Sequence, residues 1–434
     1  MRLRCRPRRW MRIGCLMIVF FILIGGLSIY HIIQKKLCSI KESKNLLLDL
    51  CKGYAQGEVT GNICDALCRE TGIHFETCNN YRGGKKVMIV HCGVCQHAQY
   101  VRAVLKGQKH NFSENEQFFF HRKDDKLSVE NMVETTEGLL RNSILFNFGI
   151  NVTYDTKVLS QLWFSDFNEY VDQLKRPDAS WVTLRSIWTL AMQDEYLFMK
   201  LYQKFQFVPK LYGSCGMFYL MEFTPPGDNL NSMVYKPPSD WHVRANIALK
   251  ILELLRSIDT DLHEPLHLCD IKGENFGIGS DDRVVLVDTD SVFFNSKLMY
   301  EIYNTNCSTH EDCDYFDCHG WCDARSGRCL HKRMNNNLQS VCQDIFLGYF
   351  PGYLPGLLHS PPENIKQELT VAIDECAFPD GDRSKEVRAP ASQKSFLKIY
   401  IMLQKSISYK YISGLLQSKL ENRPISLRLL KTTQ

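Results

Sequence analysis

Charge is absent from Ile13 to Ile33, which contains no Asp, Glu, Lys or Arg. Net charge is also small, a formal +4. The excess is local, because Arg2, Arg4, Arg6, Arg8, Arg9 and Arg12 all precede the apolar stretch and the remainder is close to neutral. That excludes the basic footprint of a nucleic-acid binder. No internal repeat or low-complexity tract is present. With 44% hydrophobic residues in 434, the chain can bury a sizeable core, about right for one two-lobed domain with insertions.

The uncharged stretch is long enough to cross a bilayer, since about 20 helical residues span roughly 30 Å. The arginines before it should stay cytosolic, placing everything after Gln34 in a lumen. A cleaved signal peptide is the competing reading. Against it, the apolar run is long, and Tyr30-His-Ile-Ile-Gln34 is a poor small-x-small cleavage site. The expectation is a cytosolic tail at 1–12, a signal anchor at 13–33 and a stem at 34–50. The arginine-rich tail also allows retention in the endoplasmic reticulum.

Cysteine, by contrast, is plentiful. There are eighteen, and sixteen of them follow the apolar stretch. That usage fits an oxidising compartment. Three sequons, at Asn111, Asn151 and Asn306, point the same way. Cys51, Cys64, Cys68, Cys78, Cys92 and Cys95, with Cys38 just before, form one cluster. Cys307, Cys313, Cys318, Cys322 and Cys329 form a second, followed by Cys342 and Cys376. His310, His319 and His331 are interleaved there, so zinc competes. The cluster has no Cys-x2-Cys pair, and in a lumen disulfides are the default, so no zinc is expected.

Lys85–Val90 and Tyr100–Lys106 read as strands. Residues 107–180 read as a polar surface insertion. Leu184, Ile187, Trp188, Ala191, Met192, Tyr196 and Met199 recur at helical steps, predicting one helix over Leu184–Tyr202. Short strands are expected at Val208–Leu211 and Met217–Phe223, around a Gly213–Gly216 turn. Asp240 should cap a second helix with its apolar face at Val243, Ile247, Ile251, Leu254, Leu255 and Ile258. Leu266–Cys269, Phe276–Ile278 and Val284–Val287 are short apolar runs between turns, and Asn335 to Gln417 reads as mainly helical.

The sharpest signal is Leu268-Cys-Asp270-Ile-Lys272-Gly-Glu-Asn275. It has the Asp-x-Lys-x-x-Asn spacing of a protein-kinase catalytic loop. There the aspartate takes or orients the proton of an attacking hydroxyl, the lysine neutralises the transferred phosphoryl group and the asparagine holds a metal. Asp288 ends the run Val284-Val-Leu-Val and stands where such a fold places a magnesium ligand. Upstream, a strand lysine held by a helix glutamate is needed for the phosphates. Val104-Leu-Lys106 has that form, with Lys85, Lys86 and Lys109 as competitors. Glu195 lies mid-helix in this reading, with Asp194 as the competing acid.

Longer motifs make the likeness specific. They include Ile63-Cys-Asp-Ala-Leu-Cys68, Tyr81-Arg-Gly-Gly-Lys-Lys-Val87, Gln193-Asp-Glu-Tyr196 and Gly213-Ser-Cys-Gly216. They continue in His267-Leu-Cys-Asp-Ile-Lys272, Asp312-Cys-Asp-Tyr-Phe-Asp-Cys318 and Asn335-Asn-Asn-Leu-Gln339. The chain resembles the divergent protein kinase domain family, whose members are cysteine-rich type II proteins of the endoplasmic reticulum. The resemblance implies an α+β, two-lobed, disulfide-rich kinase-like domain behind one transmembrane helix. It implies an N-lobe with cysteine-rich region at 51–224 and a C-lobe at 225–434 carrying the cysteine cluster 307–342. It also implies Lys106 paired with Glu195 for nucleotide, Asp270 and Lys272 for catalysis, and Asn275 and Asp288 on Mg or Mn. The expected cofactor is ATP, and the expected partner a secretory-pathway protein or glycan; the Golgi is a second possible residence.

The departures are specific. Leu268-Cys269 replaces the usual His-Arg, and Asp288-Thr-Asp290 the usual Asp-Phe-Gly. No Gly-x-Gly-x-x-Gly loop or Ala-Pro-Glu is present, and Gly83-Gly84 and Gly93 are the nearest candidates for covering phosphates. Asp166–Trp181 lacks the EF-hand pattern of some relatives, so no such calcium site is expected.

Overall fold

The computed structural model describes residues 38–69, 71–80, 85–95, 101–108, 129–153, 163, 177–224, 240–279, 281–303, 305–348, 356–384 and 386–421. The expected anchor at 13–33, Gly83-Gly84, Lys109, Asn111 and most of Asp166–Trp181 lie outside them. Among the described residues no helix is long and apolar enough to cross a membrane. The chain forms two compact units. The first draws on Met1–Leu140, Lys157–Tyr196 and Leu211–Phe223; the second on Arg141–Thr156, Leu197–Lys210 and Thr224–Gln434.

The first unit opens with helices α1 (Ile40–Ala55) and α2 (Cys64–Cys68). Ser39 caps α1, accepting from the backbone N–H of Glu42. Strands β1 (Ile73–Asn80), β2 (Lys85–Cys92) and β3 (Val101–Gln108) follow. Further along come helix α3 (Val129–Phe148), which passes into the second unit after Leu140, helix α4 (Pro177–Ala191), helix α5 (Asp194–Tyr202), which does so after Tyr196, then β4 (Leu211–Cys215) and β5 (Phe218–Glu222). The strands form one antiparallel sheet in the order β1-β2-β3-β5-β4. Met88, Val90, Ala103, Leu105, Phe218 and Leu220 share one sheet face and pack with Leu50, Ile63 and Leu67. Four disulfides staple this unit: Cys38–Cys78, Cys51–Cys68, Cys64–Cys215 and Cys92–Cys95. Cys64–Cys215 spans 151 residues, so on a chain-entropy account it is the most stabilising of the four, worth about 4–5 kcal/mol.

Two expectations need correcting here. The single helix over Leu184–Tyr202 is two, broken at Met192-Gln193. The Gln193 side chain explains the break. It accepts from the Gln108 backbone N–H (3.1 Å) and donates to the carbonyls of Met217 (2.8 Å) and Thr189 (3.2 Å). The strand expected at Val208–Leu211 instead runs over Leu211–Cys215, and the turn lies at Gly216 (φ +54°), where a Cβ would stand 2.9 Å from a Val59 methyl.

In the second unit Asp240 caps α6 (Trp241–Thr260), its carboxylate accepting from the His242 N–H at 2.9 Å. Ile247, Ile251, Leu254, Leu255 and Ile258 are buried, whereas Val243, expected on that face, is exposed. Strand β6 (Leu266–Leu268) pairs with β9 (Val292–Phe294), and β7 (Phe276–Ile278) with β8 (Val284–Leu286). Helix α7 (Asn295–Tyr303) precedes a small cysteine module with its own strands, β10 (Cys322–Asp323) and β11 (Arg328–Cys329). Cys307–Cys322 and Cys313–Cys329 close it, and Cys269–Cys318 joins it to the end of β6. Helices α8 (Asn337–Ser340), α9 (Glu363–Ala377) and α10 (Gln393–Glu421) complete the unit, with Cys342–Cys376 tying α9 to the π-helical turn Val341–Gly348. Asn151 and Asn306 are both exposed.

All sixteen cysteines after the apolar stretch are therefore paired. Alkylation of the unfolded full chain, followed by intact-mass measurement, should find sixteen more reactive thiols after reduction than before it. A difference of eight or fewer would overturn half of these pairings.

Candidate functional site

In the first unit the chemistry lies on the sheet face opposite the core just described. Val87, Lys106 and Tyr219 stand opposite one another on β2, β3 and β5. Side chains alternate along a strand, so Lys85 shares that face and is the diagonal neighbour of Lys106. All three polar groups converge on Glu195, in the first turn of α5 rather than mid-helix. Lys106 Nζ lies 2.6 Å from Oε1, Lys85 Nζ 2.6 Å from Oε2, and the Tyr219 hydroxyl donates to Oε2 at 3.0 Å. Glu195 is 3% exposed. Burial pushes its carboxyl up, but the two lysines outweigh that and hold it at about 2, well below its ordinary 4.5.

The four candidate lysines thus separate. Lys106 and Lys85 both reach Glu195. Lys86, on the opposite face, pairs with Glu42 at 3.0 Å, and Lys109 lies outside the described residues. Asp194 is exposed. Tyr219 carried no signal in the sequence, and strand parity reveals it only once the β3–β5 pairing is known; Gln193 stood in the Gln193-Asp-Glu-Tyr196 motif, but its bonds to Gln108 and Met217 were not legible there.

In the second unit a 3-10 turn at Gly273–Asn275 follows β6. It folds Asn275 back so that its Nδ2 donates to the Asp270 carbonyl (2.7 Å) and to Asp270 Oδ2 (3.0 Å). Lys272 Nζ pairs with the same Oδ2 at 2.6 Å. Burial lowers the Lys272 ammonium's pKa, but Asp270, Glu274 and Asp288 raise it further, so it stays charged. The β7–β8 hairpin brings the chain back, and the Val287 N–H donates to the Asn275 carbonyl at 3.0 Å. Asp270, Asn275 and Asp288 therefore line one recess, together with Asp290, Phe276 and Leu286. Gly277 is required in the hairpin, because a Cβ there would lie 2.4 Å from the Thr224 hydroxyl.

The loop is also held from outside, which the sequence did not disclose. The Asp317 carboxylate accepts from the Ile271 N–H at 2.5 Å, and the Asp317 N–H donates to the Cys269 carbonyl at 2.9 Å. Asn337 accepts from the Leu268 N–H at 2.9 Å and donates to the Leu266 carbonyl at 2.8 Å.

Two family models match the chain. One, described as the protein-kinase domain of FAM69, covers residues 187–379. The other, described as the N-terminal cysteine-rich ER region of FAM69, covers residues 8–160. The chain belongs to this cysteine-rich, kinase-like family. Its description associates the FAM69 family with the endoplasmic reticulum. Glu195, Asp270, Asn275 and Asp288 fall within the kinase-domain match, and Lys85 and Lys106 within the N-terminal one.

The depressed Glu195 carboxyl makes a stability prediction. A group whose pKa falls on folding contributes stability that is complete above its unfolded value and is lost as pH falls through the folded one. Wild type should therefore lose stability between about pH 4.5 and about 2, and Glu195→Gln should flatten that part of the profile. Near neutrality Glu195→Ala should cost about 3–5 kcal/mol, because two buried lysines lose their counter-ion. Denaturant titrations across that pH range check both; an unchanged acid profile in Glu195→Gln would remove the assignment.

Proposed function

We propose that this chain is a lumenal phosphotransferase of protein-kinase type. It would move the γ-phosphoryl group of ATP to a hydroxyl of a secretory-pathway protein or glycan. The observation that carries this reading is the convergence of Asp270, Asn275 and Asp288 on one recess, with Lys272 on Asp270. Residues 13–33 would anchor the chain in the endoplasmic-reticulum membrane as a single-pass type II protein, with the Golgi as second choice. Asn111, Asn151 and Asn306 would be glycan acceptors in that topology.

The roles follow from the geometry. Asp270 would orient the acceptor hydroxyl and take its proton as the oxygen attacks phosphorus and ADP departs. Lys272 would offset charge on the phosphoryl group. The residues fit a hard divalent cation. Asp288 is a carboxylate, and the amide nitrogen of Asn275 is committed to Asp270, which presents its carbonyl oxygen as the ligand atom. Mg or Mn bound there would neutralise the phosphates. Lys106, fixed by Glu195 within the first unit, has the form of the strand lysine that binds phosphates in a protein kinase.

A second reading is a pseudokinase that binds nucleotide and regulates a partner without transfer. It draws on the missing Gly-x-Gly-x-x-Gly loop and on Asp288-Thr-Asp290 where Asp-Phe-Gly is usual. Thermal unfolding of the full-length protein with ATP and Mg or Mn separates the readings when paired with labelled-phosphate transfer onto secretory-pathway extracts. We expect a metal-dependent stabilisation that Asp288→Ala abolishes. We also expect transfer that Asp270→Ala lowers by at least roughly 100-fold while nucleotide still binds. Binding without transfer in wild type would favour the pseudokinase, and neither would end both readings.

A further inference from the structure

One carboxylate in the first unit serves two ammonium groups. Lys106 and Lys85 each place Nζ 2.6 Å from a different oxygen of Glu195, and their side chains are 10% and 20% exposed. A kinase-type nucleotide site needs only one lysine on that glutamate. The second is set by register. Lys85 is the first residue of β2, two residues from Val87, and Val87 stands opposite Lys106. The two lysines therefore lie side by side on one sheet face. Lys86 turns to Glu42 on the opposite face, so the arrangement belongs to position 85 and not to a general run of basic residues.

We propose that Lys85 is a second phosphate-binding cation, placed to hold the polyphosphate of a nucleoside triphosphate together with Lys106. The inference rests on the nucleotide reading above and extends it to a residue outside the kinase pattern. Two features support it. First, two ammonium groups bracket one carboxylate, each Nζ 2.6 Å from it. A triphosphate presents several negative oxygens on neighbouring groups, which two ammonium groups bracketing a carboxylate can meet together. Second, Glu195 grips each lysine by a different oxygen, so neither must leave for the other to be held. Both are thus pre-positioned, which lowers the ordering cost of binding an anion. The chain's lack of a Gly-x-Gly-x-x-Gly loop removes backbone N–H groups that elsewhere contact the phosphates, and a second lysine supplies charge in their place.

The test measures affinity of the full-length protein in detergent for ATP with Mg and, separately, for adenosine. The variants are Lys85→Met, Lys106→Met, the double variant and Lys85→Arg. Each single Lys→Met change should weaken ATP binding roughly 10- to 100-fold, as loss of one charge-assisted contact does. The double variant should bind no ATP, Lys85→Arg should recover most of the affinity, and adenosine should bind all variants alike. The adenosine arm separates lost phosphate contacts from a damaged fold. Wild-type ATP affinity in Lys85→Met would overturn the proposal and leave Lys85 a counter-ion of Glu195. So would parallel loss of ATP and adenosine. Wild-type protein that binds no ATP would instead bring down the nucleotide reading, and this inference with it.

Discussion

A carboxylate that is nearly fully buried cannot remain charged without donors around it, and Glu195 sets terms that much of the first unit obeys. Its three partners come from three adjacent strands, Lys85 on β2, Lys106 on β3 and Tyr219 on β5. All must share one sheet face. A one-residue slip of β3 would turn Lys106 to the apolar face, turn Ala103 and Leu105 away from it, and strand the carboxylate. The same demand shapes the helices. Gln193 leaves the helical path to bond the backbone of Gln108 and Met217, and the new helix starts one residue later with Glu195 in its first turn. The break thus sets the acid against the sheet.

In the second unit the constraint is on backbone rather than charge. Where a kinase usually has His-Arg, this chain has Leu268-Cys269, and each residue is used differently. Leu268 is buried and offers its N–H to Asn337. Cys269 is bonded to Cys318. Asp317, next to that cysteine, grips the loop on both sides of Asp270, and burial pushes its carboxyl up. Arg333 ties the supports together, donating to Asn335 (2.9 Å), to Asn337 (2.7 Å) and to the Asp317 carbonyl (3.2 Å). Arg388 grips Asp314 with both guanidinium nitrogens, at 2.6 and 2.7 Å. The asparagine run and the second cysteine cluster are, on this geometry, the scaffold of the Asp270 loop.

What was legible in the sequence divides along locality. The Asp270–Asn275 spacing and the hairpin to Asp288 are encoded within a few residues, and the structure brings those residues together as their spacing implied. Helix α6 was readable from Asp240 and a helical repeat, although Val243 matched the repeat and still faces solvent. The break at Gln193 was not readable, because the apolar period runs on through it and only contacts with distant strands interrupt it. The choice between Lys85 and Lys106 was not readable either. It depends on a register between strands separated by a segment with no pattern of its own, and the register admits both. Disulfide partners such as Cys64 and Cys215 lie 151 residues apart, beyond any local rule. The β6–β9 pairing was missed for the same reason, whereas the strand Ile73–Asn80 was missed although it pairs with the strand that follows it directly.

The Asp270 carboxylate shows how positioning can outweigh basicity. Lys272 and the Asn275 amide both meet Oδ2, at 2.6 and 3.0 Å, so the group is held by one edge and its rotation is fixed. In phosphoryl transfer through a loose transition state the basicity of such a carboxylate matters little, because the attacking hydroxyl gives up its proton late and catalysis rests on alignment and charge neutralisation. On the proposed phosphotransferase reading, this contact would fix the direction of attack. On the same reading it would keep Lys272 beside the phosphoryl group whose charge it offsets. On that reading the arrangement would suit an acceptor that needs only alignment, such as a hydroxyl of a peptide or a sugar.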